Sequence, residues 1–503
     1  MKRMFLAVAA LLCAVLAQGQ GAAQKYVEQL KTTDELKEAV WGISAVKAGG
    51  ARVAEYNSRT RMMPASNVKV FTTGLALNEL GPDYRFKTRL AYSGSIEDGV
   101  LKGDLYIVGG GDPTIGARDS VAFALQKTFS EWEKVVRAAG IRSIEGYVVG
   151  DGRWLDCEPQ NVSWLLEDAA NGDGAVMSGL SFGDGLQAFT VAPGAKVGDP
   201  VKITPTFPDT PWMEWTHTAV TGPAESGDQL FYACTDLVPV ASMTGSLALG
   251  TASKRITCNN PFGALTCAFY FYRYLENQGI DVSEGPADID ASGRLRDFDG
   301  DGAGLAFAEV QESLHFIGES LSPALKDVIR QANGRSDNYY AEALLRVMAK
   351  EKAGSASFGS CQEARLAAFG RLGVSGADRM QFYDGSGLAR KNYITPEFTT
   401  AFLTAMTKVQ SYKDFLASLP QAGSGTLASR LRSATESVRS RVRMKSGSMN
   451  GVRCFSGYIL SSDGKPENTI VFSIMTNNTV VPSSRINFIM DRIITLLAEE
   501  NGE

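Results

Sequence analysis

The sequence predicts an α+β protein in which helices pack on an antiparallel sheet and a large β-rich region is inserted. Strand-like patterns at residues 43–46 and 52–56, and again after residue 442, predict a sheet assembled from both ends of the chain. A largely helical block at 322–352 supplies helices to cover it. Between about residues 88 and 255, short apolar runs alternate with Gly, Pro and Asp turns, which is typical of many short strands.

Chain length sets the expected domain organisation. At 503 residues the chain is too long for one compact core, so two or three domains are expected. We predict a signal peptide over 1–19 and an inserted β-rich region over 88–256. The remaining segments, 20–87 and 257–503, would together form the domain of sheet and helices.

The N-terminus has the pattern of a secretory signal. Lys2 and Arg3 precede an apolar run of 14 residues, 4–17, and the small residues that follow suit cleavage near Gly19. The run is too short to span a bilayer as a stable helix, and no later stretch predicts a transmembrane anchor. Loss of Lys2 and Arg3 would change the net charge from −5 to −7, and no basic cluster suits nucleic acid.

The first motif is Ser66-x-x-Lys69, placed where a turn-forming stretch gives way to an apolar run with helical spacing. Residues three apart share one face of a helix, so the Ser66 hydroxyl and the Lys69 amine would lie side by side. The field at the helix N-terminus, with any neighbouring cation, would hold Lys69 partly neutral and able to accept the Ser66 proton. A helix N-cap followed by a solvated lysine is an equal alternative, and Ser462-x-x-Lys465 repeats the pattern within a polar turn.

The second motif is Ser336-Asp337-Asn338. It stands between a predicted helix end and the start of a new helix. Taken alone, the motif is better explained as another helix N-cap than as part of a site.

The third motif is Lys445-Ser446-Gly447, which lies in a predicted strand, tight turn, strand segment. A small residue followed by Gly would let the backbone of a ligand lie along the strand edge, with the lysine ammonium nearby to pair a carboxylate. The alternative is a solvated surface lysine at a turn.

The order of the three motifs is the signature of penicillin-recognising serine acyltransferases. The sequence resembles the low-molecular-mass class C penicillin-binding proteins, the D-alanyl-D-alanine carboxypeptidase/endopeptidase family of the penicillin-binding protein 4 type. The likeness extends to segments at 63–73, 79–86, 108–114 and 384–388. It implies a transpeptidase/β-lactamase-like domain with an insertion, acting on peptidoglycan stem peptides in the periplasm after secretion across the inner membrane, and inhibited by β-lactam antibiotics.

The resemblance also implies catalytic roles for four residues. Ser66 would attack the carbonyl between two terminal D-alanines of a stem peptide, with Lys69 as general base. Ser336 would relay the proton to the leaving amine. Asn338 would hold both Lys69 and the substrate amide.

The third motif is implied to bind the substrate. Lys445 and Ser446 would receive the terminal carboxylate, beside Gly447 and Ser448, and the backbone N–H groups of Ser66 and Ser448 would form the oxyanion hole. The family more usually has Thr where this chain has Ser446, but the hydroxyl is retained.

Other functions are weaker or stay open. Gly179-x-Ser181-x-Gly183 fits an α/β-hydrolase elbow with His217 or His315, but the strand before it and the helix after it are missing. A serine β-lactamase would share the three motifs, yet the Glu-x-x-Leu-Asn pattern of class A enzymes is absent. A non-catalytic peptidoglycan-binding protein stays open because sequence does not show that the motifs meet.

No cofactor or metal is expected. The chain has only two histidines, neither in a His-Glu-x-x-His pattern. Six cysteines follow the signal peptide, and buried free thiols are at least as expected as disulfides. Asp151, in the insertion, is a candidate contact for the free amine of the stem peptide.

Overall fold

The fold is described here from a computed structural model. The structure describes residues 21–170, 172–174, 176–235, 238–289, 293–298, 305–309 and 313–501. The predicted signal peptide, 1–19, lies outside the described residues.

A five-stranded antiparallel sheet is built from both ends of the chain, as the sequence predicts. Its strands, in spatial order, are Arg52–Tyr56, Val40–Lys47, Ile470–Asn477, Val452–Ile459 and Val442–Met449. The N-terminal hairpin joins the C-terminal strands directly, since Ile43 is paired with Ile474. Val442–Met449, which carries the third motif, is an edge strand of this sheet.

Both faces of this sheet are covered. Successive side chains of a strand point to opposite faces, and in Ile470–Asn477 every residue is buried. Phe472 and Ile474 enter a core with the terminal helices Ala22–Leu30 and Ser483–Glu500, whereas Val471 and Met475 enter a larger core among the other helices. The strand therefore shows a continuous apolar run rather than alternation.

The larger core belongs to a helical layer that carries the first two motifs. Its helices are Val68–Leu80, Leu325–Gly334, Asn338–Ala353, Phe358–Arg371, Pro396–Met406 and Tyr412–Ser418. Val68–Leu80 is buried from Val68 to Leu77, and apolar residues therefore occur on all sides of it. At its centre, the Phe71 ring centroid lies 4.9 to 5.8 Å from the ring centroids of Phe369, Phe382, Phe398 and Phe402.

The inserted region contains a seven-stranded mixed sheet. Its strands, in spatial order, are Leu305–Glu309, Arg294–Phe298, Gly285–Ile289, Tyr147–Asp151, Leu105–Val108, Lys87–Tyr92 and His315–Leu321. Helices Leu125–Ala138 and Gly263–Asn277 pack on this sheet through an aromatic cluster of Phe129, Trp132 and Phe271.

Small sheets complete the insertion. Two three-stranded sheets combine Leu186–Ala192 with Lys202–Thr206 and Lys254–Asn259, and Val240–Thr244 with Glu214–His217 and Phe231–Cys234. The other short strands are Ser95–Glu97, Val100–Lys102, Ser143–Ile144, Val220–Gly222 and Ser246–Ala248. The predicted α+β class with a large β-rich insertion is confirmed.

The predicted end of the insertion at residue 256 stays a prediction, and we propose a later boundary. Helix Gly263–Asn277 contacts strands Tyr147–Asp151 and Gly285–Ile289 of the seven-stranded sheet. Strand His315–Leu321 pairs with Lys87–Tyr92 in the same sheet. The insertion would then run from about Lys87 to about Leu321, and the domain of sheet and helices would resume at helix Leu325–Gly334.

Candidate active site

The first motif brings a hydroxyl and an amine together at the start of a buried helix. Ser66 lies in the 3-10 turn Ala65–Asn67, and Lys69 lies in the first turn of Val68–Leu80. Lys69 Nζ donates a hydrogen bond to Ser66 Oγ at 3.2 Å. The turn is anchored to the five-stranded sheet, since Asn67 Nδ2 donates to Ser456 Oγ at 3.0 Å. Lys69 is 0% exposed, so it is not the solvated lysine that the alternative interpretation, a helix N-cap followed by a surface lysine, requires.

Lys69 has two further acceptors, which fix its orientation. Nζ donates to Asn338 Oδ1 and to the carbonyl oxygen of Ser386, each at 2.6 Å. Burial lowers the pKa of Lys69 to about 8, an effect opposed by the carboxylates of Asp384, Asp337, Glu342 and Asp173. A neutral Lys69 amine would keep two donated hydrogen bonds and turn its lone pair toward the Ser66 hydroxyl. Burial is the largest of these causes of the low pKa, and the contribution of the helix field expected from the sequence stays a prediction.

The second motif is both a helix cap and a contact of Lys69. The Asp337 carboxylate accepts from Tyr340 N at 3.0 Å and caps helix Asn338–Ala353, so the N-cap interpretation holds for this one residue. Asn338 Oδ1 faces Lys69, while Asn338 Nδ2 donates to the carbonyl oxygen of Asp173 at 2.9 Å. Ser336 has φ 60°, a left-handed conformation that is uncommon outside glycine.

The third motif meets the second through its lysine. Lys445 Nζ donates to Ser336 Oγ at 2.9 Å and to the Ser446 carbonyl oxygen at 2.7 Å. Lys445 is 0% exposed, and no carboxylate in the described part of the chain forms an ion pair with it. Burial lowers the pKa of Lys445 well below its usual range, and the charge of Lys69 adds to this effect. A carboxylate ligand would supply a counter-ion and favour the charged ammonium form of Lys445.

The two glycine-containing segments let the backbone pack tightly around Ser66. A Cβ on Gly447 would lie 2.5 Å from the Pro64 carbonyl oxygen. Gly387 has φ 88°, and a Cβ there would lie 2.0 Å from the Ala65 carbonyl oxygen. The structure gives Gly447 a packing neighbour in the Ser66 turn. Its predicted role beside the substrate stays a prediction.

The remaining predicted binding residues lie at the open side of the edge strand. Ser446 Oγ donates to Thr426 Oγ1 at 3.2 Å, and Ser448 is exposed. Sequence analysis did not identify Thr426, because no motif marks it. Only the fold shows that its hydroxyl lies opposite the Ser446 hydroxyl.

Sequence analysis also missed Glu342, whose buried carboxylate holds the backbone that presents the Ser386 carbonyl oxygen to Lys69. Glu342 Oε1 accepts from Gly385 N at 2.9 Å and from Ser386 N at 2.8 Å, and its carboxylate is paired with Arg346. Glu342 is 0% exposed and follows Asn338 by one helical turn, so both residues face the same site. That spacing, Asn338, Glu342, Arg346, was the available sequence signal.

Among its described residues, the insertion contributes a backbone contact to the motifs at a different position from the one expected. Asp151 is paired with Arg153, whose side chain donates to it at 3.0 and 2.8 Å. Its predicted contact with a stem-peptide amine stays a prediction. The segment that reaches the motifs is 172–174, through the Asp173 carbonyl oxygen.

Ser181, His217 and His315, the residues of the α/β-hydrolase alternative, each contact different neighbours. Ser181 Oγ donates to the Ser178 carbonyl oxygen at 3.2 Å. The His217 ring lies against Trp215, and the His315 ring stacks on Tyr92. Within the described ranges, no group of three or more His, Cys, Asp or Glu side chains could hold a metal ion. Among the cysteines of the described chain, Cys157, Cys258, Cys267, Cys361 and Cys454 are free thiols, and all of these except Cys157 are buried.

Comparisons with known proteins assign the chain to a family. A sequence model of the family described as "D-Ala-D-Ala carboxypeptidase 3 (S13) family" matches residues 23–292 and 302–499. The chain belongs to the D-Ala-D-Ala carboxypeptidase 3 (S13) family. As an S13 family member it is 29% identical over 481 residues to the D-alanyl-D-alanine carboxypeptidase of Actinomadura sp. (strain R39), covering 93% of this chain and 82% of that protein.

Two further comparisons agree with the S13 assignment. The D-alanyl-D-alanine carboxypeptidase DacB of Haemophilus influenzae is 23% identical over 423 residues, covering 82% of this chain and 80% of that protein. The crystal structure of penicillin binding protein 4 (dacB) from Haemophilus influenzae superposes with a TM-score of 0.78, covering 96% of this chain and 100% of that chain at 21% identity. This structural likeness shows that the S13 chain shares that fold, and the predicted resemblance is confirmed.

Proposed function

We propose that this protein is a serine D-Ala-D-Ala carboxypeptidase that cleaves peptidoglycan stem peptides through an acyl-enzyme on Ser66. The observation that carries the proposal is the buried Lys69 amine, 3.2 Å from the Ser66 hydroxyl and with a pKa of about 8. A lysine held partly neutral beside a serine is an activated nucleophile with its own base. The family assignment and the carboxypeptidase names of its relatives support the same reaction.

Acylation would begin with the neutral Lys69 amine. Lys69 takes the Ser66 proton as Ser66 Oγ attacks the carbonyl carbon of the penultimate D-alanine. The amide C–N bond then breaks, leaving an ester on Ser66 and releasing the terminal D-alanine. Ser336 Oγ, held 2.9 Å from Lys445 Nζ, is placed to pass a proton to the leaving amine.

Substrate binding would use the edge strand Val442–Met449. An extended peptide can add to an unpaired strand edge through main-chain hydrogen bonds. Lys445 and the Ser446 hydroxyl would receive the terminal carboxylate, which supplies the counter-ion that Lys445 lacks among the described residues. The backbone N–H groups of Ser66 and Ser448 would stabilise the tetrahedral oxyanion.

Hydrolysis of the ester by water completes the cycle. If the bond cut is a cross-link between two stem peptides, the same steps make the protein an endopeptidase. A β-lactam would imitate the D-Ala-D-Ala end and leave Ser66 as a slowly hydrolysed ester.

The protein would act outside the cytoplasm. The predicted signal peptide, 1–19, would direct secretion across the inner membrane, and the substrate would then be met in the periplasm. Among the described residues, no helix is both long enough and apolar enough to cross a membrane.

The test is mass spectrometry of the mature protein after incubation with benzylpenicillin. Ser66→Ala is compared with Ser462→Ala, because Ser462 belongs to the repeated Ser-x-x-Lys pattern and is exposed. We expect one covalent adduct on the peptide containing Ser66, present in the wild type and in Ser462→Ala and absent in Ser66→Ala.

Other outcomes would contradict the proposal in different ways. An unmodified protein with intact penicillin would favour a non-catalytic binding protein. An unmodified protein with rapidly hydrolysed penicillin would indicate a β-lactamase.

A further inference from the structure

An open cleft of about 1120 Å³ lies directly beside the second and third motifs. Its lining includes Arg335, next to Ser336, and Gly425, next to Thr426, whose hydroxyl contacts Ser446. It also includes Arg443, which precedes Lys445 by two residues on the same strand and so projects from the same face. The cleft is therefore lined by residues adjacent in sequence to the groups proposed to bind the substrate carboxylate and protonate the leaving amine.

The charge of this cleft is opposite to that of the whole chain. Its lining has four arginines and one aspartate, Arg85, Arg330, Arg335, Arg443 and Asp327, which leaves three positive charges uncompensated. The chain as a whole has a net charge of −5. Of the four arginines, only Arg330 is paired with the aspartate, at 2.8 Å.

The other arginines have no carboxylate partner among the described residues. Arg443 Nη1 donates to the carbonyl oxygens of Ser440 and Val442, and Arg85 Nη1 donates to that of Ser322. Arg335 is exposed. Guanidinium groups satisfied only by carbonyls or water keep their planar donor edges available for carboxylates.

We propose that this cleft binds the leaving-group side of a cross-linked substrate, namely a second stem peptide that carries free carboxylates. The inference rests on the proposed function, because the leaving side is defined there by Ser336 and Lys445. A free D-alanine would end at Lys445 and leave the cleft unused. A leaving group that is itself a peptide would continue past Lys445 into the arginines, so the cleft favours endopeptidase over carboxypeptidase substrates.

The open geometry predicts how the cleft contributes. Ion pairs at solvent-exposed positions are individually weak and are screened by salt. The arginines should therefore lower KM for the carboxylate-rich substrate and make its cleavage sensitive to ionic strength, with little effect on the chemical step.

The test compares two purified substrates, a cross-linked dimer of stem peptides and the uncross-linked pentapeptide. The readout is the ratio of kcat/KM for the dimer to kcat/KM for the pentapeptide. We expect the double variant Arg85→Gln, Arg335→Gln, which removes two exposed cleft arginines without a carboxylate partner among the described residues, to lower this ratio about fivefold through KM, from two weak pairs. Added salt should lower the wild-type ratio in the same direction.

A matched double variant removes two arginines elsewhere. Arg142→Gln, Arg371→Gln removes two exposed arginines outside the cleft lining, and its ratio should equal that of the wild type. An unchanged ratio in the cleft variant, an equal fall in the control, or a salt-independent wild-type ratio would overturn the inference.

The failure of the proposed function has a different signature. If the wild-type protein cleaves neither substrate and forms no penicillin adduct, both proposals fail. If it cleaves both substrates while the ratio stays fixed, only the cleft assignment is wrong.

Discussion

The acylation rate should depend on pH through the protonation of Lys69. The experiment is a pH series of the wild-type protein with saturating benzylpenicillin, in which the rate of adduct formation on Ser66 is measured at each pH. At saturating penicillin, the pH dependence of the rate reports the pKa values of groups in the protein–penicillin complex. In that complex the penicillin carboxylate would hold Lys445 protonated. The reactive form has a neutral Lys69, so the rate should rise with pH.

The magnitude follows from the pKa of Lys69, which burial lowers to about 8. The neutral fraction of such an amine is about 0.01 at pH 6, about 0.1 at pH 7 and about 0.5 at pH 8. The rate should therefore rise about tenfold per pH unit below pH 7 and level off above pH 8. For a lysine with an ordinary pKa near 10.4, the rise would continue to about pH 10.

Stopped-flow mixing with quenching and intact-mass detection gives the rate directly. A rate that is flat or falling between pH 6 and pH 8 would refute Lys69 as the general base. A rise that continues without a plateau to pH 10 would refute the lowered pKa. Circular dichroism across the same range checks that the fold is unchanged.

Substitutions at Glu342, Phe71 and Ser446 test the surroundings of the site. Glu342→Gln leaves Arg346 without its buried partner and should cost about 3–5 kcal/mol in denaturant unfolding. It should also move the pH midpoint of acylation downward, because the Glu342 charge raises the pKa of Lys69; an unchanged midpoint would mean a purely structural role. Phe71→Ala should cost about 3–5 kcal/mol, against under about 1 kcal/mol for the exposed Phe488→Ala, and equal losses would contradict the packing argument. Ser446→Thr should keep acylation within about threefold because the hydroxyl is retained, whereas Ser446→Ala should slow it about tenfold through the lost carboxylate contact; loss of activity in Ser446→Thr would contradict that role.

The sequence was most informative where the contact is local. Ser66 and Lys69 are three residues apart, so helical geometry alone placed the hydroxyl beside the amine. The C-terminal strands could be predicted equally well, because Lys445 and its neighbours form a continuous strand, turn, strand pattern in the sequence. In both cases the period of the backbone fixed which side chains are neighbours.

What could not be predicted depends on contacts between distant segments. The Ser386 carbonyl oxygen and the Asp173 carbonyl oxygen are backbone groups, which no side-chain pattern identifies. The low pKa of Lys69 was expected from the sequence, but the burial that lowers it depends on the packing of the whole helical layer, which no local pattern shows. The return of strand His315–Leu321 to the sheet of the insertion likewise depends on pairing with a strand far away in sequence.

The five-stranded sheet has a consequence for how the chain reaches its native state. Strand Val40–Lys47 is synthesised well before its central partner, Ile470–Asn477, which lies far along the chain. Until then the edge of Val40–Lys47 that pairs with this partner is open and the hairpin has an uncovered apolar face, which is the kind of surface that favours aggregation. Pairings of such long sequence separation also close slowly. The five-stranded sheet that carries the proposed substrate-binding edge can therefore be completed only after strand Ile470–Asn477 has been made.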